Sequence, residues 1–143
     1  MKEQILISVL KLLNQKIIYV RQNISSLQNA RNNETKSSAG DKYETGRVMM
    51  QAELEKQALI LQQYQNQKND ILKIQNSKPS QEIGYGSLVL TNQGNYLIAT
   101  GIGRVDNVFV ISLASPLGKA FRGLKSRDRI IFQNKDYQIK SVK

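Results

Sequence analysis

The sequence predicts an α+β protein, in which an N-terminal antiparallel coiled-coil hairpin of two helices precedes a small antiparallel β domain with one short helix. Three observations carry this prediction. An apolar heptad repeat begins the chain, a polar stretch separates it from a second apolar stripe, and a short strand-like period replaces both after Gln75. A chain of 143 residues has room for one or two small domains.

The first predicted helix carries a regular apolar stripe. Its members are spaced alternately four and three residues apart, which is the a/d pattern of a coiled-coil seam. They are Leu6, Leu10, Leu13, Ile17, Val20, Ile24 and Leu27. A helix over residues 3–31 would be about 43 Å long, and it cannot bury such a stripe without a partner.

The second segment, from about Asp41 to Ile74, supplies that partner. Its stripe is looser, because the polar residues Gln57 and Lys68 occupy seam-like positions. The apolar members are Val48, Met50, Leu54, Leu61, Tyr64, Ile71 and Ile74. Residues 32–40 between the two segments are rich in turn-forming residues. So short a break favours a fold-back hairpin over a parallel dimeric coiled coil.

We place the hairpin at residues 1–76, a linker at 77–82 and a C-terminal domain at 83–143. Runs rich in β-branched and aromatic residues predict strands in this last domain. They lie at 87–91, 95–100, 108–113, 129–132 and 136–142. About 60 residues are close to the lower limit for an independent hydrophobic core.

A short helix is predicted between the third and fourth of these strands. Ser115 suits an N-cap, Pro116 suits the first helical position, and Gly123 follows the end of the helix near Phe121. The Gly101–Arg104 segment lacks the lysine and the following helix of a phosphate-binding loop, so it is predicted to be a simple loop.

Composition narrows the possible functions. The chain has no Cys and no His, which excludes disulfides, thiolate or imidazole metal sites and Ser-His-Asp catalysis. The apolar run before Lys11 has only six residues, too short for a signal peptide, and nothing approaches a membrane span, so we expect a cytoplasmic protein.

The net charge of +10 favours anionic partners, either nucleic acid or an acidic protein surface. The densest basic stretch contains Lys119, Arg122, Lys125, Arg127 and Arg129. A solvated loop face explains this stretch equally simply.

Two acids, Asp41 and Glu44, open the second helix at the tip of the predicted hairpin. In one interpretation they form a capping box, in which Asp41 caps the helix and Glu44 reaches back to its free N–H groups. In the other, both carboxylates point off the tip toward Mg²⁺, an ion usually held by one or two protein carboxylates plus a substrate. The two interpretations are compatible, since one acid can cap while the other binds metal.

The segment Gly40-Asp41-Lys42-Tyr43-Glu44 resembles the Gly-Asp-x-x-Glu tip motif of the Gre family of bacterial transcription elongation (transcript-cleavage) factors. Residues 111–121, ISLASPLGKAF, resemble the segment ISVNSPLGKAL of that family's C-terminal domain. Gly123, Asp128 and Tyr137-Gln138-Ile139 match later family positions. Because the motifs follow the family's order over nearly the whole chain, the resemblance implies a divergent Gre-like member with an FKBP-like C-terminal domain.

What the resemblance implies is a role in transcription. The C-terminal domain would dock at the rim of the RNA polymerase secondary channel, and the hairpin would carry Asp41 and Glu44 to the polymerase active site. The two acids would help hold a second Mg²⁺, shared with the polymerase and not bound by this chain alone. The polymerase would then cleave backtracked RNA by two-metal hydrolysis, so this chain would be a monomeric cofactor and not an enzyme.

Further site residues follow from this reading. Four basic residues surround the tip and are candidates to contact the 3′ end of the nascent RNA, or else are merely solvated: Arg31, Lys36, Lys42 and Arg47. The candidates for docking on the polymerase are Ser115, Pro116, Leu117, Gly118, Lys119 and Arg122. The alternative for this last segment is that its apolar residues, Leu117 and Phe121 among them, pack into the β core.

Three alternatives remain open. The chain has Thr45-Gly46-Arg47-Val48 where the family has Asn-Ala-Glu-Tyr, and Arg127 where the family has Gly, so it could occupy the channel as a regulator without stimulating cleavage. It could be a nucleic-acid-binding module, with DNA as a partner of the basic stretch Arg122–Arg129. It could also be a peptidyl-prolyl isomerase, although its domain has few aromatic residues to spare for the apolar pocket of such an enzyme.

Overall fold

A computed structural model describes the backbone of residues 1–34 and 40–143, and the side chains of residues 1–33 and 44–143. It confirms the predicted α+β fold. Helices α1 (Lys2–Glu34) and α2 (Gly40–Gln75) pack against each other and precede a six-stranded sheet with one short helix. The chain divides into two compact units. One is Leu12–Lys68, and the other combines Met1–Lys11 with Asn69–Lys143.

Within the unit Leu12–Lys68 the helices run antiparallel. Arg31 Nη1 donates to Gln51 Oε1 at 3.1 Å. Lys16 Nζ lies 5.5 Å from the centroid of the Tyr64 ring. Residues nearer the N-terminus of α1 therefore contact residues nearer the C-terminus of α2. The buried apolar side chains of this unit are Leu13, Ile17, Val20 and Leu54, all at predicted seam positions.

Val48 departs from the predicted stripe, because its side chain is 68% exposed. It lies six residues before the buried Leu54, which puts it about 120° around a helix of 3.6 residues per turn. Met50, four residues before Leu54, lies on the same face and is half-buried. The prediction included Val48 because it is apolar, although a spacing of six residues from Leu54 does not fit the period of the helix.

The sheet of the other unit has the strand order β3-β4-β2-β1-β6-β5. The strands are β1 (Leu88–Thr91), β2 (Gly94–Ala99), β3 (Gly103–Val105), β4 (Val108–Ser112), β5 (Arg129–Phe132) and β6 (Lys135–Val142), and helix α3 (Pro116–Phe121) lies between β4 and β5. The five predicted strands are all present, and the helix has its predicted bounds. The tight turn between β5 and β6 has Gln133 and Asn134 at φ values of 49° and 64°, as in the two-residue hairpins with both central residues at positive φ.

The sheet is mostly antiparallel, as predicted, and two of its details differ from the prediction. The Gly101–Arg104 segment is not only a loop, since β3 occupies its end and pairs antiparallel with β4. The sheet is also not purely antiparallel, because β2 and β4 run parallel, with Leu97 opposite Val110. The two differences have one cause. The extra strand β3 reverses the chain between β2 and β4, so β4 returns in the direction of β2.

One face of the sheet carries an aromatic core. The ring centroids of Tyr96 and Phe121 are 5.3 Å apart, and those of Phe121 and Tyr137 are 5.6 Å apart. The buried aliphatic side chains around them are Ile83, Val89, Ile98 and Ile139. Burial, together with the hydrogen-bonded hydroxyl of Tyr137, raises the pKa of Tyr96 to about 12, so the Tyr96 hydroxyl keeps its proton at neutral pH.

The other face of the central strands is equally closed. Successive residues of a strand point to opposite faces, so Leu88 and Leu97 point away from the face that holds Val89 and Tyr96. Leu88, Leu97 and Val110 are nevertheless at most 1% exposed. Ile74 of α2 lies beside this part of the unit, with its Cγ2 atom 3.5 Å from the position of a Cβ on Gly86. Lys2 Nζ donates to the Lys143 carbonyl at 3.2 Å. Residues of both long helices therefore belong to the same packed unit as the sheet.

Candidate functional site

The predicted acidic tip lies at the start of α2. The helix begins at Gly40, so Glu44 is its fifth residue, and the Glu44 side chain is exposed. Lys36 and the side chains of Asp41 and Lys42 lie outside the described residues. The pairing of the two carboxylates and the capping box therefore remain predictions, while an accessible carboxylate at Glu44 is observed.

Two of the four basic candidates near the tip are described. The Arg31 guanidinium donates to Gln51 Oε1 at 3.1 Å, and Gln51 Nε2 in turn donates to Glu55 Oε1 at 3.4 Å. This chain of contacts links α1 to α2 and uses one of the five guanidinium N–H donors. Arg47 is exposed. Both side chains can therefore still reach an anion, although Arg31 also has a structural role.

Helix α3 is built as predicted. The Ser115 Oγ accepts a hydrogen bond from the Gly118 N–H at 3.1 Å, which caps the helix, and Pro116 follows the cap. The Ser115 hydroxyl donates to the Ser112 carbonyl at 2.6 Å. The Arg122 N–H donates to the Gly118 carbonyl at 3.1 Å at the other end. These bonds fix the turn between β4 and α3 through side chain and backbone together.

A glycine is needed at position 118 because there is no room for a Cβ atom, and not because the backbone has a positive φ angle. A Cβ on this residue would collide with the carbonyl oxygen of Ser112 and would lie 2.9 Å from Ser115 Oγ. The close approach of α3 to the end of β4 therefore leaves no room for a Cβ unless the helix or the strand end shifts. Ser115 and Gly118 thus have structural reasons to stand where they do, independently of any docking role.

The remaining docking candidates divide by exposure. Phe121 is fully buried, and Leu117 packs partly buried against the aromatic core, as the packing alternative predicted. Pro116, Lys119 and Arg122 are exposed. We call these three residues the α3 surface. It is the part of the family-like segment that a partner can contact directly.

The basic stretch after α3 is only partly neutralised. Lys125 Nζ lies 3.6 Å from a carboxylate oxygen of Glu82. Arg129 lies 3.1 Å from a carboxylate oxygen of Asp136. Asp128, the one acid inside the stretch, accepts the Lys125 N–H at 2.7 Å. These exposed pairs contribute little to stability. They do show that Lys125 and Arg129 each have a carboxylate close to their positive charge.

Arg127 has an unusual backbone. Its φ angle is 77°, in the left-handed region that favours glycine. For a residue with a Cβ this conformation costs roughly 1–2 kcal/mol. Gly, which the resemblance noted above has at this position, would adopt this φ angle without strain.

A concave surface lies beside Arg127. It has a volume of about 510 Å³ and is lined by Arg127, Arg129, Gln138, Ile139 and Lys140. We call it the basic concavity. Sequence reasoning singled out the two arginines and missed Lys140, because the pairing of Arg129 with Gln138 across β5 and β6 brings distant residues together.

Within the described residues there is no group of three or more acidic, His or Cys residues that could hold a metal ion. No helix in the described ranges has a segment both long enough and apolar enough to span a bilayer. The candidate regions are thus the start of α2, the α3 surface and the basic concavity.

Comparisons with known proteins assign no function to this chain. No protein-family model matches this sequence, and no curated protein matches it significantly. The resemblance to Gre factors therefore rests on the two sequence motifs and their order.

Proposed function

We propose that this chain is a divergent Gre-type transcription elongation factor, which binds RNA polymerase through the secondary channel and promotes cleavage of backtracked RNA. The observation that carries the proposal is the exposed carboxylate of Glu44 near the start of α2, in the motif that also contains Asp41. The factor would act in the cytoplasm as a monomer. It would have no catalytic activity without the polymerase.

The carboxylate chemistry supports this role. Glu44 is exposed and therefore available to an ion that a partner also binds. When bound, Mg²⁺ would supply the activation of water and the stabilisation of the leaving oxygen in two-metal hydrolysis. Asp41 and Glu44 would each offer it oxygen ligands of the kind it prefers. The polymerase would provide the remaining ligands.

The α3 surface supports the docking half of the proposal. Its two cations, Lys119 and Arg122, are exposed and suit an acidic protein surface. The Ser115 cap and the close packing of Gly118 hold the helix in one position. A rigid surface of this kind loses little conformational entropy on binding.

The test is RNA cleavage in backtracked elongation complexes. The variant Asp41→Asn/Glu44→Gln should lose about 100-fold or more in cleavage rate, in the range found when one electrostatic group of a catalytic site is removed. It should still compete with the wild type for the polymerase. A matched control, Glu3→Gln/Asp106→Asn, removes the same two charges at exposed positions away from the tip and should cleave normally. Undiminished cleavage by the first variant would show that the acids do not act on the metal.

Docking is tested separately by Lys119→Glu/Arg122→Glu. Reversing both charges of the α3 surface should abolish competition for the polymerase, because like charges across an interface repel. Lys78→Glu/Lys135→Glu, which reverses two exposed charges outside both the hairpin and the α3 surface, is the control. Normal competition by the first variant would mean that the chain docks through another surface.

A second candidate function, a regulator that occupies the channel without stimulating cleavage, is favoured by Arg47. This residue is exposed three positions after Glu44, where Gre factors have Glu. A cation there would oppose the binding of Mg²⁺ by the nearby carboxylates. If the regulator function is correct, the wild type binds without cleaving, and Arg47→Glu gains cleavage activity.

A further inference from the structure

We propose that the basic concavity on strands β5 and β6 binds the phosphate backbone of double-stranded nucleic acid. The surface belongs to the unit of Met1–Lys11 and Asn69–Lys143. The inference goes beyond the proposed polymerase factor, because it uses neither the tip acids nor the α3 surface. Its test also needs no polymerase.

The three cations of the concavity are held on one face by backbone bonds. Arg129 is paired with Gln138 in the antiparallel β5–β6 ladder. The Arg127 N–H donates to the Ile139 carbonyl at 2.7 Å. The Ser126 hydroxyl donates to the Lys140 carbonyl at 2.9 Å. These bonds tie the turn that carries Arg127 to strand β6, so the backbone positions of the three cations are fixed relative to one another.

The concavity keeps a positive charge. Asp136 pairs with Arg129 at 3.1 Å, and the Asp128 carboxylate accepts the Lys125 N–H at 2.7 Å. Across the described ranges, no carboxylate forms an ion pair with Arg127 or Lys140. Both of these side chains are exposed. Two cations without a carboxylate partner, and a third that is ion-paired with Asp136, therefore line the same hollow.

The backbone at Arg127 supports a role for its side chain. Glycine would adopt the φ angle of 77° without strain. A strained residue at such a position persists when its surroundings or its function require it, and an observed outlier is a reason to look for that function. Binding of phosphate by the guanidinium group would be such a function, since its planar donors match phosphate oxygens in a bidentate geometry.

The lining of the concavity favours a duplex over other anionic partners. It contains no aromatic side chain, so it lacks the stacking platform that proteins use to bind single strands. Its one apolar residue, Ile139, is only 2% exposed, so the hollow offers no apolar pocket for the side chains of an acidic peptide. Binding to the phosphate backbone of a duplex depends on positive charge and needs neither base stacking nor an apolar pocket.

The experiment is fluorescence anisotropy of a labelled random-sequence DNA duplex, titrated with the full chain over a range of NaCl concentrations. Three phosphate contacts predict a slope of log affinity against log salt of about −2.7. An about fourfold rise in salt would then weaken binding about 40-fold. Arg127→Gly/Lys140→Gln should bring the slope to about −0.9 and weaken low-salt binding at least about tenfold.

The control is Lys11→Gln/Lys78→Gln, which removes two exposed positive charges outside the concavity. It should change affinity no more than about twofold, since a general effect of net charge is weaker than the loss of direct contacts. Thermal unfolding of the single variant Arg127→Gly should occur at or above the wild-type temperature, because glycine relieves the backbone strain. A loss of binding in Arg127→Gly/Lys140→Gln is then not explained by unfolding caused by the substitution at Arg127.

Two results would overturn the proposal. One is equal duplex affinity for Arg127→Gly/Lys140→Gln and the control. The other is binding of poly-glutamate that depends on Arg127 and Lys140, with no such dependence for the duplex. The second result would identify the concavity as a surface for an acidic protein.

Discussion

The two units of this protein bury their apolar residues in different ways. The unit Leu12–Lys68 buries a narrow stripe, in which Leu13 and Ile17 are successive and similar members, and it leaves Leu59 73% exposed. The β unit concentrates its core around Phe121, whose ring contacts both Tyr96 and Tyr137. Stability should therefore be spread along the hairpin and concentrated at one point of the β unit.

The largest effect is expected from Phe121→Ala. Phe121 is fully buried at the centre of the aromatic core, and such truncations cost about 3–5 kcal/mol. The free energy of unfolding by urea, followed through the tyrosine signal of the β unit, measures the loss. Phe109→Ala is the control, because its ring is 39% exposed and should cost clearly less.

A smaller effect is expected from Leu13→Ala in the hairpin. Leu13 is fully buried, and its truncation should cost about 2–3 kcal/mol, at the low end for core leucines, because two helices can close partly over the gap. Helical circular dichroism during urea unfolding measures it. Leu59→Ala, at an exposed position, should stay within about 0.5 kcal/mol. A loss for Leu13→Ala greater than that for Phe121→Ala would contradict the contrast between the two units.

The smallest effect concerns the junction of β4 and α3. Gly118→Ala forces a Cβ against the Ser112 carbonyl, and overpacking of this kind costs about 1–3 kcal/mol. Thermal unfolding measures the loss. Gly101→Ala is the matched control, because nothing lies within 4 Å of a Cβ there, and it should be neutral or slightly stabilising. Equal effects of the two substitutions would mean that α3 can move away from β4.

Much of this fold could be predicted because its signals are local. The heptad spacing of α1 identified the buried residues Leu13, Ile17 and Val20. The Ser115-Pro116 pair identified the start of α3. The strand order could not be predicted in this way, because the parallel pairing of β2 with β4 depends on β3, a strand of three residues that begins with a glycine.

The candidate sites were predictable to different degrees. The acids at residues 41 and 44 and the segment 111–121 stand out by sequence motif. Lys140 does not, since only the β5–β6 register shows that it lies beside Arg127 and Arg129. The requirement for Gly118 was also hidden, because it arises from contact with Ser112 across a turn and not from the backbone angle of the glycine.

The division of the chain bears on how such a protein can change. Residues 12–68 leave from and return to a unit that is otherwise formed by the two flanking segments. In the coiled-coil pattern, adding or removing about seven residues in each helix restores the same facing side chains. Paired heptad insertions would thus alter the length of the hairpin while preserving the contacts of every remaining layer, so hairpin length is a quantity that evolution or engineering can adjust separately from the fold of the sheet.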